Sequence, residues 1–161
     1  MTDKVLRGFV GNGSNKGAWF DFPASVRAIT KKLTGVENYS GDLWIEDYES
    51  PIPFSAKGMD IIEFNKMANA LQSVPDIFVR NFKTLHEEGL FEDFQDLVDN
   101  WQGFRINHEV KNRADLGREY ASENSLTINQ IMDYVDFDHL GKDIDSDLTG
   151  CFTPDGYFEK V

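Results

Sequence analysis

The chain has 161 residues, 40% hydrophobic and 13% aromatic, with 28 Asp/Glu against 16 Lys/Arg and a net charge of −12. That length supports one or two small domains with a real core, and the aromatic content excludes an acidic disordered tail. The acidic sign argues against direct binding to nucleic acid or an anionic membrane, and no apolar run reaches the ~18–20 residues of a membrane span.

The lone Cys151 leaves no intrachain disulfide, which fits a reducing cytoplasm, and the N-terminus lacks an apolar signal core.

In chain order, the first segment reads β–β–α–β. Val5–Val10 and Ala18–Phe22 are predicted strands joined by the turn residues Gly11–Gly17,. Pro23 is placed to open a helix reaching about Leu33, and Leu43–Ile45 is a third strand,. Pro51 and Pro53 then break the chain.

The middle segment reads as three helices. Asp60 can cap the first, with Glu63 three residues on and Ile61, Phe64, Met67, Ala68 and Leu71 on one face,. Pro75 opens the second, with Phe78, Phe82 and Leu85 inward and Gly89 as its stop,. The third is expected from Leu90 to about Trp101, on the stripe Leu90, Phe91, Phe94, Leu97, Val98 and Trp101,.

The last segment returns to mixed structure. Phe104–His108 is a candidate strand and Ala114–Glu123 a helix. Thr127–Gln130 has capping-box spacing and starts a helix through Ile131, Met132 and Val135,. Thr153–Gly156 is a turn signal between Cys151–Phe152 and Tyr157–Phe158, so the chain is expected to end in a hairpin,. The expected fold is α+β: small antiparallel sheets with helices at both ends, a helical middle, and boundaries at 1–57, 58–103 and 104–161.

The charge is uneven. Residues 1–35 hold Lys4, Arg7, Lys16, Arg27, Lys31 and Lys32 against Asp3 and Asp21, a net of +4. The other 126 residues hold 26 acids against 10 bases, a net of −16. Such an imbalance costs the fold self-repulsion; it serves either solubility or a partner whose site expects a polyanion. On the expected third middle helix Glu92, Asp96 and Asp99 fall at i, i+4 and i+7 with Asp93 beside them, opposite the apolar stripe. Four acids over ~10 Å of helix is about one per 3.5 Å, near the ~3.4 Å per phosphate of one DNA strand. Asp133, Asp136, Asp138, Asp143, Asp145 and Asp147 continue the theme with one base, Lys142.

No catalytic or metal pattern completes itself. Gly11–Gly17 matches neither a dinucleotide loop nor a P-loop, because Lys16 precedes Gly17,. Asp143, Asp145 and Asp147 alternate like calcium ligands, but Leu148 and Pro154 stand where that loop needs Gly and Glu, so an acidic surface stretch is the better reading,. His86, His108 and His139 lack zinc spacing,. No residue stands out as catalytic; no cofactor and no metal are expected, and the chain is not read as an enzyme.

The chain resembles the ArdA antirestriction proteins of mobile elements and phages. The resemblance is carried by Gly17-Ala18-Trp19-Phe20-Asp21-Phe22-Pro23, Ile45-Glu46-Asp47-Tyr48-Glu49 and Asp60-Ile61-Ile62-Glu63-Phe64-Asn65, then Tyr134–Asp143 and the terminal Gly156-Tyr157-Phe158-Glu159. It implies an elongated three-domain homodimer in the host bacterial cytoplasm. The acidic surface of such a protein imitates DNA in the groove of a type I restriction–modification enzyme, on its methyltransferase core, blocking cleavage and methylation. Another nucleic-acid-binding immune complex, such as a CRISPR effector, is the alternative partner. Under that resemblance the DNA-like surface comprises Glu46, Asp47, Glu49, Glu87, Glu88, Glu92, Asp93, Asp96 and Asp99. It continues through Asp115, Glu119, Glu123, Asp133, Asp136, Asp138, Asp143, Asp145 and Asp147. The stretch Thr127–Asp138 corresponds to the antirestriction motif, and the implied dimer contact is Leu126, Ile128, Ile131, Tyr134 and Val135. A dimer's doubled charge would match ~41 Å of duplex at ~1.7 Å per charge. The basic N-terminal segment fits a DNA mimic least well.

Overall fold

The computed structural model describes residues 4–14, 16–124 and 136–161. It is an α+β protein with two three-stranded antiparallel sheets. The chain forms two compact units, Met1–Arg80 with Asp93–Val98, and Asn81–Glu92 with Asp99–Val161.

In the first unit, β1 (Leu6–Gly11) is the central strand between β2 (Ala18–Phe22) and β3 (Trp44–Glu49). Period-two alternation puts Leu6 and Val10 into the core with Phe22 and Ile45 from the flanking strands,. The helix α1 (Val26–Thr34) starts later than its proline suggests. Pro23 follows a cis peptide bond and lies outside the helix; Ser25 is the cap, its hydroxyl accepting the Ala28 N–H at 3.2 Å. The expected cap of α2 (Ile61–Gln72) is present, with Asp60 accepting the Ile62 N–H at 2.7 Å. Ile61, Phe64, Ala68 and Leu71 are buried, and Phe64 meets Phe22 edge-on with ring centres 4.8 Å apart.

Pro75 precedes α3 (Asp76–Glu87). The helix ends at Gly89, whose φ of 76° lets its N–H reach the His86 carbonyl while the Leu90 N–H reaches the Leu85 carbonyl,. This close corrects the expected third helix. The chain does not restart at Leu90; Asp93 accepts the Asp96 N–H at 2.9 Å, and α4 covers only Phe94–Asn100 before a 3₁₀ turn at Trp101–Gly103. Glu92 and Asp93 therefore precede the helix, and the regular acid spacing expected along it does not extend over them.

In the second unit, β6 (Gly156–Lys160) lies between β4 (Phe104–Asn107) and β5 (Gly150–Thr153), so the expected terminal hairpin gains a third strand. The helix α5 (Arg113–Glu123) is capped by Asn112, which accepts the Asp115 N–H at 2.9 Å. A further helix, α6 (Phe137–Asp147), was not foreseen; Asp136 caps it by accepting the His139 N–H at 3.1 Å. α5 and α6 run antiparallel at van der Waals contact through two glycines. A Cβ on Gly141 would sit 1.7 Å from the Arg113 carbonyl oxygen, and one on Gly117 would sit 2.4 Å from that of Phe137. Val110, Leu116, Ile144 and Tyr157 make the core beneath them, joined by Leu140, Leu148 and Phe152. The helix expected from Thr127 lies outside the described residues.

Candidate functional site

Each histidine serves its own neighbourhood. His86 Nδ1 is 2.9 Å from the Phe91 carbonyl, His108 Nδ1 is 3.1 Å from that of Asp155, and His139 lies 3.8 Å from Asp143. Among the described residues no three His, Cys, Asp or Glu side chains are grouped to hold a metal ion. Cys151 is buried, and burial, with Glu88 and Asp145 nearby, pushes its thiol up to about 11. That is the wrong direction for a nucleophile, which needs its thiolate. Asp143, Asp145 and Asp147 belong to α6 rather than to a loop, and Asp145 accepts the Tyr157 hydroxyl at 2.9 Å.

The acids divide by what they touch. Several are spent on local structure. Glu46 accepts the Gly13 N–H at 3.0 Å, Asp47 the Tyr48 N–H at 2.9 Å, and Glu49 pairs with Arg7 at 3.1 Å. Asp93 and Asp136 cap helices, and Asp115 accepts the Lys111 N–H and pairs with Arg118 at 3.2 Å. Glu87 lies 3.9 Å from Lys83, while Glu88, Glu92, Asp99 and Asp138 are exposed and Asp96 is half-buried. Asp133 and the expected dimer contacts Leu126, Ile128, Ile131, Tyr134 and Val135 lie outside the described residues.

The bases near the N-terminus are mostly engaged. Lys4 donates to the Gln72 and Val74 carbonyls at 3.0 Å and pairs with Asp76 at 3.2 Å. Arg7 bridges Asp21 at 2.9 Å and Glu49 across the sheet, because β1 places it opposite both. Arg27 and Lys31 converge on Glu37. Three of these partners, Glu37, Glu49 and Asp76, lie beyond residue 35, so the segment's +4 is answered in space. Counted by unit, the first carries nine Lys/Arg against twelve Asp/Glu, a net of −3; the second carries seven against sixteen, a net of −9.

Within the second unit the acids gather on a groove of about 820 Å³ between α5, α6 and the sheet. Glu119 and Glu123 line it from α5, Asp143 and Asp147 from α6. Each pair stands at i, i+4 in the C-terminal half of its helix, and neither helix has a base in its last turn. Both features disfavour the helices: a like-charge i, i+4 pair costs about 0.2–0.5 kcal/mol, and an anion near a helix C-terminus opposes the macrodipole. Glu109 and Glu159 add to the lining. The guanidinium there, Arg105, is taken by Glu159 at 2.6 Å; that hydrogen bond first, then the charges of Glu159, Glu123 and Glu119, hold its pKa above the ordinary value. Glu109, Glu119, Glu123 and Asp147 make no direct ion pair among the described residues.

Sequence reading named Glu119, Glu123, Asp143 and Asp147 as acidic surface, but it did not bring them together or count Glu109 and Glu159 among those acids. The signal for α6 was present: Phe137, Leu140, Gly141, Ile144 and Leu148 follow helical spacing behind the Asp136 cap,.

The family described as antirestriction protein (ArdA) matches residues 11–159. The chain belongs to that family. No curated protein matches it.

Proposed function

We propose, taking membership of the antirestriction family as the premise, that this chain acts as a polyanion in the DNA groove of a type I restriction–modification enzyme. The observation that carries the reading is the second unit's net of −9, with like-charged pairs on the C-terminal halves of two helices where they disfavour the fold. Unfavourable local electrostatics are retained where a partner's charge offsets them. Restriction enzymes must bind DNA through basic grooves, and a dense carboxylate surface competes for such a groove without any chemistry of its own. Asp, Glu and a fixed backbone replace phosphates; no active site is required. The reading keeps the three-part division at 1–57, 58–103 and 104–161. It also keeps a homodimer formed through Leu126, Ile128, Ile131, Tyr134 and Val135, acting in the bacterial cytoplasm on cleavage and methylation alike.

The test is displacement of duplex DNA from a type I methyltransferase core across a salt series. Displacement is expected at low salt and should fade steeply as salt rises, because surface charge is screened within a Debye length of ~10 Å at 0.1 M. Absence of displacement at low salt would remove the reading. Glu119→Gln, Glu123→Gln, Asp143→Asn and Asp147→Asn together should weaken displacement at least tenfold while far-UV circular dichroism stays unchanged.

A further inference from the structure

A surface that only imitates DNA needs charge; it does not need an apolar cleft. The groove of the second unit has one. Leu140 and Leu148, partly buried, line it over the core residues Leu116 and Ile144, and Tyr120, 43% exposed, lines it too. Its volume of about 820 Å³ lies within the ~300–1,000 Å³ of clefts and cavities that hold a ligand.

The charges are placed at its ends. Because α5 and α6 are antiparallel, with Gly141 against Arg113 and Gly117 against Phe137, their C-terminal turns point opposite ways. Glu119 and Glu123 therefore lie toward one end of the groove, Asp143 and Asp147 toward the other, with Leu116 and Leu140 between and Ile144 within the second acidic end. Each pair repeats after four residues, ~6 Å of helix rise, the interval at which an opposing helix presents Lys or Arg at i and i+4. The order along the groove is anionic, apolar, anionic.

We propose that this groove docks a short amphipathic helix of a partner protein, one with Lys or Arg at both ends and an apolar ridge between them. The ridge lies over Leu116 and Leu140 against Tyr120, and the basic ends meet the two carboxylate pairs. The inference rests on the reading of the acidic surface as protein-binding, and adds to it a contact that salt does not screen. Burial of apolar area persists, and even strengthens with some salts, where ion pairs fade.

The experiment uses the whole chain and synthetic peptides, with no restriction enzyme present, so that it succeeds or fails separately from the displacement assay. The probe is a fourteen-residue helical peptide with Lys at i, i+4 near each end and Leu at i, i+3, i+4, i+7 between them. A composition-matched peptide with the Leu positions scrambled around the helix, and spermine, serve as controls. Binding is followed by amide chemical shifts. The expected result is saturable binding that moves the amides of Leu116, Tyr120, Leu140 and Ile144, at least tenfold tighter than the scrambled peptide. Tyr120→Ser should weaken the first peptide about tenfold and leave the scrambled one unchanged; at 43% exposure this variant is a surface change the fold tolerates. Neutralising the four carboxylates should weaken both peptides.

Equal affinity for the scrambled peptide or spermine would overturn the proposal, since charge alone would then suffice. So would self-association abolished by Tyr120→Ser, which would assign the groove to a second copy. Nuclear Overhauser contacts from the Tyr120 ring to residues 125–135 in the free protein would assign it to the chain itself and overturn it too. DNA displacement without peptide binding removes the groove and keeps the acidic surface; peptide binding without displacement does the reverse.

Discussion

The two units are similar in size and opposite in how they treat charge. In the first, charge is used up locally: Lys4 tethers the α2–α3 turn, Arg7 crosses three strands, and Glu37 gathers Arg27 and Lys31. In the second, acids repeat along helix ends with little to answer them, and the net reaches −9 against −3. The first resembles an ordinary domain whose surface pairs are nearly neutral in stability. The second holds an arrangement that costs its helices, and the proposed partner rests on that cost. Counting charge along the chain gave a basic tip of +4 and an acidic body of −16; counting it by packed unit moves the boundary, because Glu37, Glu49 and Asp76 fold back onto the bases.

That contrast can be tested by breaking each unit. The largest effect is expected from Phe64→Ala, which removes a ring packed on Phe22 and Phe54 and should cost about 3–5 kcal/mol. Denaturant unfolding followed through Trp19 and Trp44, in single-site fluorescence variants, should show the loss in the first unit. Trp101 reports the second; an equal shift there would mean the units do not unfold separately.

Next is Gly141→Ala. Its methyl would overlap the Arg113 carbonyl, so α5 and α6 must separate, at about 1–3 kcal/mol or more. The Trp101 transition should move and amide protection should fall along both helices. A silent substitution would mean that the helices yield at this crossing without cost.

A smaller effect of opposite sign should follow from neutralising Glu119, Glu123, Asp143 and Asp147. Removal of two like-charge pairs stabilises the second unit by about 0.4–1 kcal/mol at low salt. The gain should vanish in about 1 M salt, where the Debye length is ~3 Å. Arg7→Met in the first unit should do the reverse, lowering its melting temperature slightly at low salt and not at high salt. If both changes shift stability in the same direction, the contrast drawn between the units is wrong.

A last effect, confined to alkaline pH, concerns Cys151. Its folded pKa is raised from 9.0 to about 11, so the neutral thiol is favoured by the fold. The associated stability is fully present below pH 9 and is lost as pH rises from 9 toward 11. Alkylation at pH 8 should be slow in the native protein and fast in denaturant, and Cys151→Ala should flatten part of the alkaline stability slope.

Much of the fold was legible because local rules agreed with tertiary packing. Asp60 capped its helix, Gly89 ended one, and the terminal turn signal made a hairpin, each from interactions spanning a few residues,. Two failures share a cause. The apolar stripe from Leu90 continued smoothly across residues that the structure bends, because periodicity does not register the Gly89 close or the Asp93 cap. The Asp-rich stretch after Asp136 hid α6, because its apolar positions are separated by acids that also read as surface.

Sequence alone determined the α+β composition, the excess of acid and the ordered motifs of the antirestriction family, since these rest on residue identity and short-range spacing. Tertiary structure decided which acids answer a base and which do not. Ion pairs such as Arg7 with Glu49 join residues far apart in the chain, and only packing sets their distance. It also decided the groove. Two helices must cross at Gly117 and Gly141 before Leu116, Leu140 and Ile144 can face one space with carboxylates at both ends, and no local pattern encodes that crossing.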